Sequence, residues 1–224
     1  MKEGPILFSS EMLRAILAGR KTQTRRVITR NAPKVVDGAV TWYPGGEKLG
    51  FKYIGVEGHS IEVASGWAAS WCPYGALGDL LWVRETWANP GGAIYYRADG
   101  EFDQDLKDMG YTTKWKPAIF MPRELSRITL EIVKVRVERV QDISEEDALA
   151  EGITLDPREG RFSCVTIDKH GHVDNLGHYL MPRPRQKYEG LWNSINAKRG
   201  FGWDLNPWVW VLEFKRCNKC EDHK

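Results

Sequence analysis

The chain lacks features that define several large classes of protein. Its 224 residues include four cysteines, Cys72, Cys164, Cys217 and Cys220, which are too few and too scattered for the disulfide framework of a small secreted domain. It contains no run of about 18 apolar residues that would span a membrane, and its N-terminus has no apolar signal-peptide core. We therefore expect a cytoplasmic protein with no membrane association.

Several enzyme motifs are also missing. The sequence has no Walker loop, GxGxxG, HExxH or GxSxG, so nothing in it favours phosphate-loop hydrolysis, dinucleotide chemistry, zincin proteolysis or serine-hydrolase chemistry. It also has no Pro/Ser/Gly-rich linker and no internal repeat. We therefore predict one domain over residues 1–224, with insertions at about 31–77 and 154–186.

Acidic residues are absent between Met12 and Val36, although the net charge of the whole chain is only +2. The basic residues of this stretch are Arg14, Arg20, Lys21, Arg25, Arg26, Arg30 and Lys34. The apolar spacing predicts a helix that ends at Gly19, followed by a strand from Thr24 to Thr29. The positive field is therefore concentrated where a helix passes into a strand.

Lys21 and Thr24 are the candidate catalytic residues of this stretch. A lysine among arginines has a lowered pKa and can act as a base on a hydroxyl such as that of Thr24. Strand alternation would place the two side chains on opposite faces, so they meet only if the backbone turns between them. The alternative is a solvated basic surface or a phosphate-binding strip.

A second strand is predicted over Leu80–Trp87. Its alternation puts the Glu85 carboxylate on an apolar face, where it needs a partner. We expect Glu85 to share a cleft with the Lys21-Thr24 turn and to pair with a basic group from that stretch. Trp82, Arg84 and Trp87 either stack on and bond to an unpaired base or belong to the core.

The clearest β pattern runs from Arg127 to Val140, and its phase slips between residues 132 and 133. This predicts a bulge in a long bent strand and favours a closed or half-closed barrel. Ser144-Glu145-Glu146-Asp147 then opens a short helix. That helix leaves Glu151 at its C-terminus, where the helix dipole disfavours a carboxylate, so we expect a cation nearby.

The last part of the chain has weaker signals. A helix is predicted over Tyr188–Ile195, and the continuous apolar pattern of Trp208–Phe214 predicts a strand at the centre of a sheet. His170, His172 and His178 are interpreted as polar surface. Cys217, Cys220 and His223 have zinc-ligand spacing but supply only three ligands, so we interpret residues 217–224 as a flexible tail without metal.

At Leu17-Ala18-Gly19-Arg20-Lys21-Thr22-x-Thr24 the chain resembles the ASCH family, a branch of the PUA-like superfold. Three later segments agree with the resemblance: Gly78-Asp79 before a strand, the helix Ser144 to Glu151, and the terminal strand ending Val211-Leu212-Glu213-Phe214. Trp-Val-Arg-Glu-Thr-Trp at 82–87 and Asn206-Pro207-Trp208-Val209-Trp210 are similar to ASCH proteins of phages and prophages. The matched segments cover about half of the chain.

The resemblance implies an α+β domain around a small PUA-like β-barrel flanked by helices, here with two long insertions. It also implies a cleft for RNA or a modified nucleoside. The best-characterised enzymes of the family are bacterial amidohydrolases that deacetylate N(4)-acetylcytidine with a lysine, a threonine and a glutamate. By motif position these correspond to Lys21, Thr24 and Glu151. The chain is about twice as long as those enzymes, so the insertions can reshape the cleft.

We therefore predict a metal-independent amidohydrolase, without a cofactor, that acts on an acylated cytidine-type nucleoside or a related amide. The alternative is a single-stranded RNA-binding module, either non-catalytic or ribonucleolytic, with phosphates also held by the basic run at 183–187. The residues assigned to substrate or nucleic-acid binding are Arg20, Arg25, Arg26, Trp82, Arg84, Glu85 and Trp87.

Overall fold

The computed structural model describes residues 1–37, 39–44, 46, 53–56, 61–62, 71–100, 102–154, 166–167, 173–174 and 183–217. Its helices are α1 (Ser10–Leu17), α2 (Asp103–Asp108), α3 (Glu145–Ala150) and α4 (Pro184–Asn196). Its strands are β1 (Glu3–Leu7), β2 (Gln23–Val27), β3 (Lys34–Val36), β4 (Ala39–Trp42), β5 (Tyr53–Val56), β6 (Ile61–Glu62), β7 (Leu80–Arg84), β8 (Trp87–Ala88), β9 (Tyr95–Tyr96), β10 (Thr129–Arg139), β11 (Thr166–Ile167), β12 (Val173–Asp174) and β13 (Trp208–Arg216).

The largest sheet has the strand order β1-β7-β10-β13-β2, and β6 also pairs with β10. β1 and β7 are parallel, whereas the other pairs of this sheet are antiparallel. Three smaller sheets are formed by β3-β4-β5, by β8-β9 and by β11-β12. The architecture is therefore mixed α/β around a mixed central sheet, which agrees with the α+β class.

β10 is the long strand that the sequence predicts. Its register against β13 shifts between Ile132 and Lys134, so the expected phase slip is confirmed as a bulge at Val133. On its other edge, β10 pairs first with β7 and later with β6. One bent strand thus holds most of the central sheet together.

β13 lies inside the sheet between β10 and β2, as its continuous apolar pattern predicts. Trp210 and Leu212 belong to a core that also contains Leu13 of α1. Val209 and Val211 belong to a second core that also contains residues of α3 and α4. Successive side chains of β13 therefore pack into different cores on its two faces.

The strand pairings among the described residues do not close a barrel. β1 and β2 are the two ends of the strand order, and no ladder joins them in the described part of the chain. The structure therefore shows an open mixed sheet with helices, and it does not show the small closed barrel implied by the resemblance.

Two predicted elements have different bounds in the structure. α4 begins at Pro184, before the expected start at Tyr188, because proline is favoured in the first helical turn and the Gln186 side chain accepts from the Arg183 backbone N–H at 2.9 Å. The strand predicted over Leu80–Trp87 is interrupted at Glu85 and Thr86, which separate β7 from β8.

The predicted insertions are only partly described. The first contains β3 to β6, whereas β11 and β12 are the described strands of the second. His170, His172 and His178 lie outside the described residues, as do Cys220 and His223, and therefore so does most of the predicted tail. In the part of the chain that the structure describes, no helix has the length and apolar character needed to cross a membrane.

Candidate active site

Lys21 lies where the end of α1 meets the end of α3. Gly19 has a φ of 70°, in the left-handed region that favours glycine, and it ends the helix. The backbone N–H groups of Arg20 and Lys21 then donate to the Ala15 carbonyl at 2.9 and 3.1 Å. Lys21 also forms an antiparallel bridge with Glu151, the residue that follows α3. Two helix ends thus fix the position of this lysine.

Gly152 permits the close approach of these helix ends. Its φ is 94°, and a Cβ at this position would lie 3.0 Å from the Ala15 Cβ and 3.2 Å from the Lys21 Cβ. Both the backbone conformation and the packing therefore require glycine here. The Glu151 side chain is held against Lys21 as a consequence.

The Lys21 ammonium uses all three of its N–H donors. Nζ donates to the Gln23 carbonyl at 2.9 Å, to the Glu151 carbonyl at 2.8 Å and to Glu151 Oε2 at 2.7 Å. The side chain is fully buried. Burial lowers the pKa of Lys21. Glu151 opposes this shift, whereas the positive charges of Arg26 and Arg25 add to it. The direction agrees with the prediction, but its main cause is burial and not the neighbouring arginines.

Glu151 receives a second cation. Its Oε1 accepts from Nη1 of Arg25 at 3.2 Å, which confirms the cation expected beside this helix C-terminus. The same guanidinium donates through Nη2 to Glu138 Oε1 at 2.6 Å and to Asp147 Oδ2 at 2.7 Å. Burial disfavours the charged form of Arg25, but Glu151 and Glu138 outweigh it and raise its pKa. Arg25 is thus a buried, fully engaged cation.

Arg136 of β10 extends these contacts. Its Nε donates to Glu138 Oε2 at 3.0 Å, its Nη2 donates to Asp147 Oδ2 at 2.6 Å, and its Nη1 donates to Glu213. Gln23 links the two guanidinium groups, because its Oε1 accepts from both Arg25 and Arg136. We call this the carboxylate network, whose members are Lys21, Gln23, Arg25, Arg136, Glu138, Asp147, Glu151 and Glu213.

Thr24 lies near this network but does not join it. The side chain is buried, and the structure shows no hydrogen bond of its hydroxyl within the described residues. Strand alternation gives the reason: Lys21 and Arg25 reach the carboxylate network from one face, and Thr24 leaves the backbone on the other. The structure therefore brings Lys21 and Glu151 together, without a direct bond from Lys21 Nζ to Thr24.

A cleft of about 740 Å³ opens beside Thr24 and Glu151, and it has the size of a small-molecule site. Its walls come mainly from β2, α4 and the segment 71–74. Its aromatic lining residues are Trp42, Trp71, Tyr74, Tyr188, Trp192 and Trp210, and its polar ones include Thr24, Arg25, Arg26, Arg30, Asn31, Glu151, Asn196 and Arg199. Of the aromatic residues, Trp71 and Tyr74 are only half-buried.

The three predicted binding arginines have different positions. Arg20 is exposed and does not line the cleft. Arg25 lines it, but its guanidinium is bound to carboxylates. Arg26 lines the cleft and is half-buried, with Nη2 donating to the Leu7 carbonyl at 2.6 Å. Of these three arginines, Arg26 alone lines the cleft and has no carboxylate partner among the described residues.

The predicted base-stacking residues lie elsewhere. Trp82 and Trp87 are 9% and 7% exposed, and neither they nor Arg84 line the cleft. The Arg84 guanidinium lies 4.6 Å from the Trp82 ring centroid, and the Lys116 ammonium lies 4.4 Å from that of Trp87. Assigning these residues to the nucleic-acid site is therefore not supported, and the core interpretation fits better.

Glu85 is buried, as its strand face predicts, but its partner differs from the predicted one. Arg127 donates from Nε and Nη2 to the two carboxylate oxygens of Glu85 at 2.9 and 3.0 Å, and it also bonds to Asp99. β10 runs antiparallel to β7, so the residue shortly before β10 lies beside the residue after β7. The prediction that Glu85 shares a cleft with Lys21 and Thr24 is therefore wrong.

No protein-family model, curated protein or solved structure matches the chain. The resemblance to the ASCH family thus stays a prediction from short motifs.

Sequence reasoning missed several residues of the site. Arg136 and Glu138 alternate on β10, opposite the apolar Val135 and Val137, so charged residues at every second position were a usable signal for a polar cluster. Arg199 offered no such signal. It reaches the cleft only because α4 packs beside β2, which is a tertiary relationship.

Proposed function

We propose that this protein is an amidohydrolase of the ASCH, PUA-like type that acts on an acylated cytidine-type nucleoside. The observation that carries the proposal is the buried Lys21–Glu151 ion pair, which reaches the wall of a 740 Å³ cleft through Glu151, next to Thr24. A buried lysine of lowered pKa beside a cleft is a functional-site candidate with a physical rationale. The bulge in β10 fits the bent strand expected for this type of domain, whereas the described strand pairings leave the sheet open.

The cleft composition supports a nucleoside-sized ligand. Trp71 and Tyr74 offer partly accessible aromatic faces on which a base can stack. Asn31 also lines the cleft, and its side-chain Oδ1 can accept from a base edge or a ribose hydroxyl. The cleft thus combines aromatic side chains with convergent polar groups, as small-molecule sites do.

In the proposed reaction, the Thr24 oxygen attacks the acyl carbon of the substrate. A new carbon–oxygen bond forms, the bond from the acyl carbon to N4 breaks, and the leaving amine takes up a proton. Water then hydrolyses the acyl-threonine, which releases the acid and restores the hydroxyl. Lys21 accepts the Thr24 proton, and Glu151 orients Lys21 and relays protons.

This role requires a change at Lys21 when substrate binds. All three Nζ donors bond to oxygens other than that of Thr24 in the structure. In the proposed mechanism, Glu151 accepts a proton from Lys21 across their 2.7 Å contact, and Nζ then turns towards Thr24. Because Thr24 leaves the backbone on the opposite face, this step also requires the backbone between Lys21 and Thr24 to move.

The test is hydrolysis of N(4)-acetylcytidine by purified protein, followed by chromatography, with and without a chelator. Thr24→Val removes the hydroxyl and keeps the shape of the side chain. Thr22→Val is the control, because it makes the same substitution at an exposed residue that precedes β2 and does not line the cleft. Activity in the wild type and in the control, together with loss in Thr24→Val, is expected. Equal activity in all three would refute the role of Thr24.

Single-stranded RNA binding, with or without cleavage, stays the alternative. It is less supported, because Trp82 and Trp87 are buried and Arg25 is bound to carboxylates. Titration of a short RNA at two salt concentrations tests it, since the slope of affinity against salt follows the number of phosphates contacted. Salt-sensitive binding without turnover of an acylated nucleoside would favour a binding module, and a gel of the same RNA would reveal cleavage.

A further inference from the structure

Three arginines at the cleft have no carboxylate partner among the residues that the structure describes. Arg26, Arg30 and Arg199 line the cleft, and none of them forms an ion pair within the described residues. Glu151 is the only acidic residue among the described lining residues, and Lys21 and Arg25 already bind its two oxygens. The cleft therefore carries a local positive charge that the described chain does not neutralise.

These arginines contrast with those of the carboxylate network. Arg25 and Arg136 are bound by carboxylates on several sides. Arg26 has only the Leu7 carbonyl as acceptor, and its buried Nε has no partner within the described residues. Arg199 bonds to the Asn196 side chain at 3.3 Å and is otherwise exposed. Donors on both arginines thus remain for a ligand.

The aromatic wall lies close to these donors. Burial raises the pKa of Tyr74, while Arg26 and Arg199 both act to lower it, so the two guanidinium groups lie within electrostatic range of this ring. The Arg26 guanidinium also lies 5.2 Å from the Phe8 ring centroid, which holds it in place. A flat group on Tyr74 and an anion on the arginines can thus be bound together.

We infer that the cleft binds a phosphorylated ligand, a pyrimidine mononucleotide in preference to the free nucleoside. Guanidinium groups match phosphate oxygens in geometry as well as charge, and several around one cleft favour a dianion. The phosphate on the ribose would lie on Arg26, Arg30 and Arg199, and the base against Trp71 and Tyr74. The choice of cytosine as the base rests on the proposed function, whereas the choice of phosphate rests on the arginines alone.

The experiment compares binding of cytidine with that of cytidine 5′- and 3′-monophosphate, by calorimetry at low and moderate salt. At low salt we expect at least one monophosphate to bind about tenfold or more tightly than cytidine, with the advantage decreasing as salt increases. Arg30→Gln combined with Arg199→Gln should reduce that preference to about twofold. Both side chains are exposed, so this variant should fold.

The matched control is Lys198→Gln combined with Arg20→Gln. It also removes two exposed basic residues, and neither residue lines the cleft. It should keep the full preference for the monophosphate. A similar loss in the control and in the cleft variant would mean that net charge alone attracts the phosphate, and it would overturn the inference.

Turnover of N(4)-acetylcytidine and of its 5′-monophosphate separates this inference from the proposed function. Preference for monophosphate binding without turnover of either compound would support the phosphate site and reject the hydrolase. Turnover of the nucleoside, together with equal binding of cytidine and its monophosphates, would support the hydrolase and reject the phosphate site. A short oligocytidylate that binds about tenfold more tightly than the monophosphates would overturn the mononucleotide assignment in favour of RNA.

Discussion

Lys21 Nζ donates to Oε2 of Glu151 at 2.7 Å, and both side chains are buried. The pair joins Lys21, shortly after α1, to Glu151, directly after α3, and the two segments are far apart in the sequence. Removing one partner from a buried pair leaves an uncompensated charge, whereas replacing both by apolar groups is much less harmful. The contact is thus both a structural junction and the centre of the proposed site.

Lys21→Met should lower the free energy of unfolding by about 3–5 kcal/mol, because it leaves the Glu151 carboxylate buried with Arg25 as its remaining cation. Combined with Glu151→Leu, the loss should be smaller than the sum of the two single losses. Urea denaturation of the four proteins of this cycle measures the coupling. Additive losses would show that the two side chains do not interact as the structure describes.

Lys21 should titrate below the ordinary lysine value of 10.5, because burial disfavours its charged form. The unfolded chain therefore holds more protons between the lowered pKa and 10.5, so this lysine makes stability rise with pH in that window. Since Glu151 opposes the lowering, Glu151→Gln should move the pKa further down.

The measurement is the ¹³Cε chemical shift of the lysines against pH, with Lys21 assigned from its absence in Lys21→Met. Titration of Lys21 at or above the ordinary lysine value of 10.5, or an upward shift in Glu151→Gln, would contradict the prediction.

The elements of this fold follow from local pattern to different degrees. Ser144 accepts from the Asp147 backbone N–H as the capping motif predicts, and the bulge at Val133 lies where the apolar phase slips. Both are fixed by neighbouring residues. The break of the predicted strand at Glu85 was not visible in the sequence. Glu85 pairs there with Arg127, which precedes β10 and is distant in the chain.

In the candidate site, too, some features follow from local sequence and others depend on tertiary packing. Glycines at 19 and 152 marked both helix ends, and a cation beside Glu151 was expected from the helix dipole. The identity of that cation, Arg25 as well as Lys21, depends on how β2 lies against α3. The cleft joins β2 to α4 and to the segment 71–74, so its shape could not follow from any single stretch.

Arg25→Met should lower the free energy of unfolding by about 3–5 kcal/mol, since three carboxylates lose their shared cation. The control is Arg20→Met, at an exposed position of the same basic stretch, where a change within about 0.5 kcal/mol is expected. Chemical denaturation of both variants gives the comparison. Similar losses in the two would mean that the carboxylate network contributes no more than a surface charge.

Glu85→Gln should affect stability and leave activity unchanged. The substitution weakens the pair with Arg127, so we expect a loss of about 1–3 kcal/mol. Glu85 does not line the cleft, so kcat/KM for the acylated nucleoside should stay within about twofold of the wild-type value. A large drop in kcat/KM in a folded Glu85→Gln protein would contradict this prediction and indicate that Glu85 belongs to the active site.

The most direct test of the proposed chemistry is a search for the acyl-threonine intermediate. Protein mixed with N(4)-acetylcytidine is quenched in acid within the first turnovers, digested and analysed by mass spectrometry. The proposal predicts one acetyl group on Thr24 in the wild type and none in Thr24→Val, while Thr22→Val keeps the adduct. Release of acetate at the wild-type rate by Thr24→Val, with no adduct on the wild-type peptide, would contradict it.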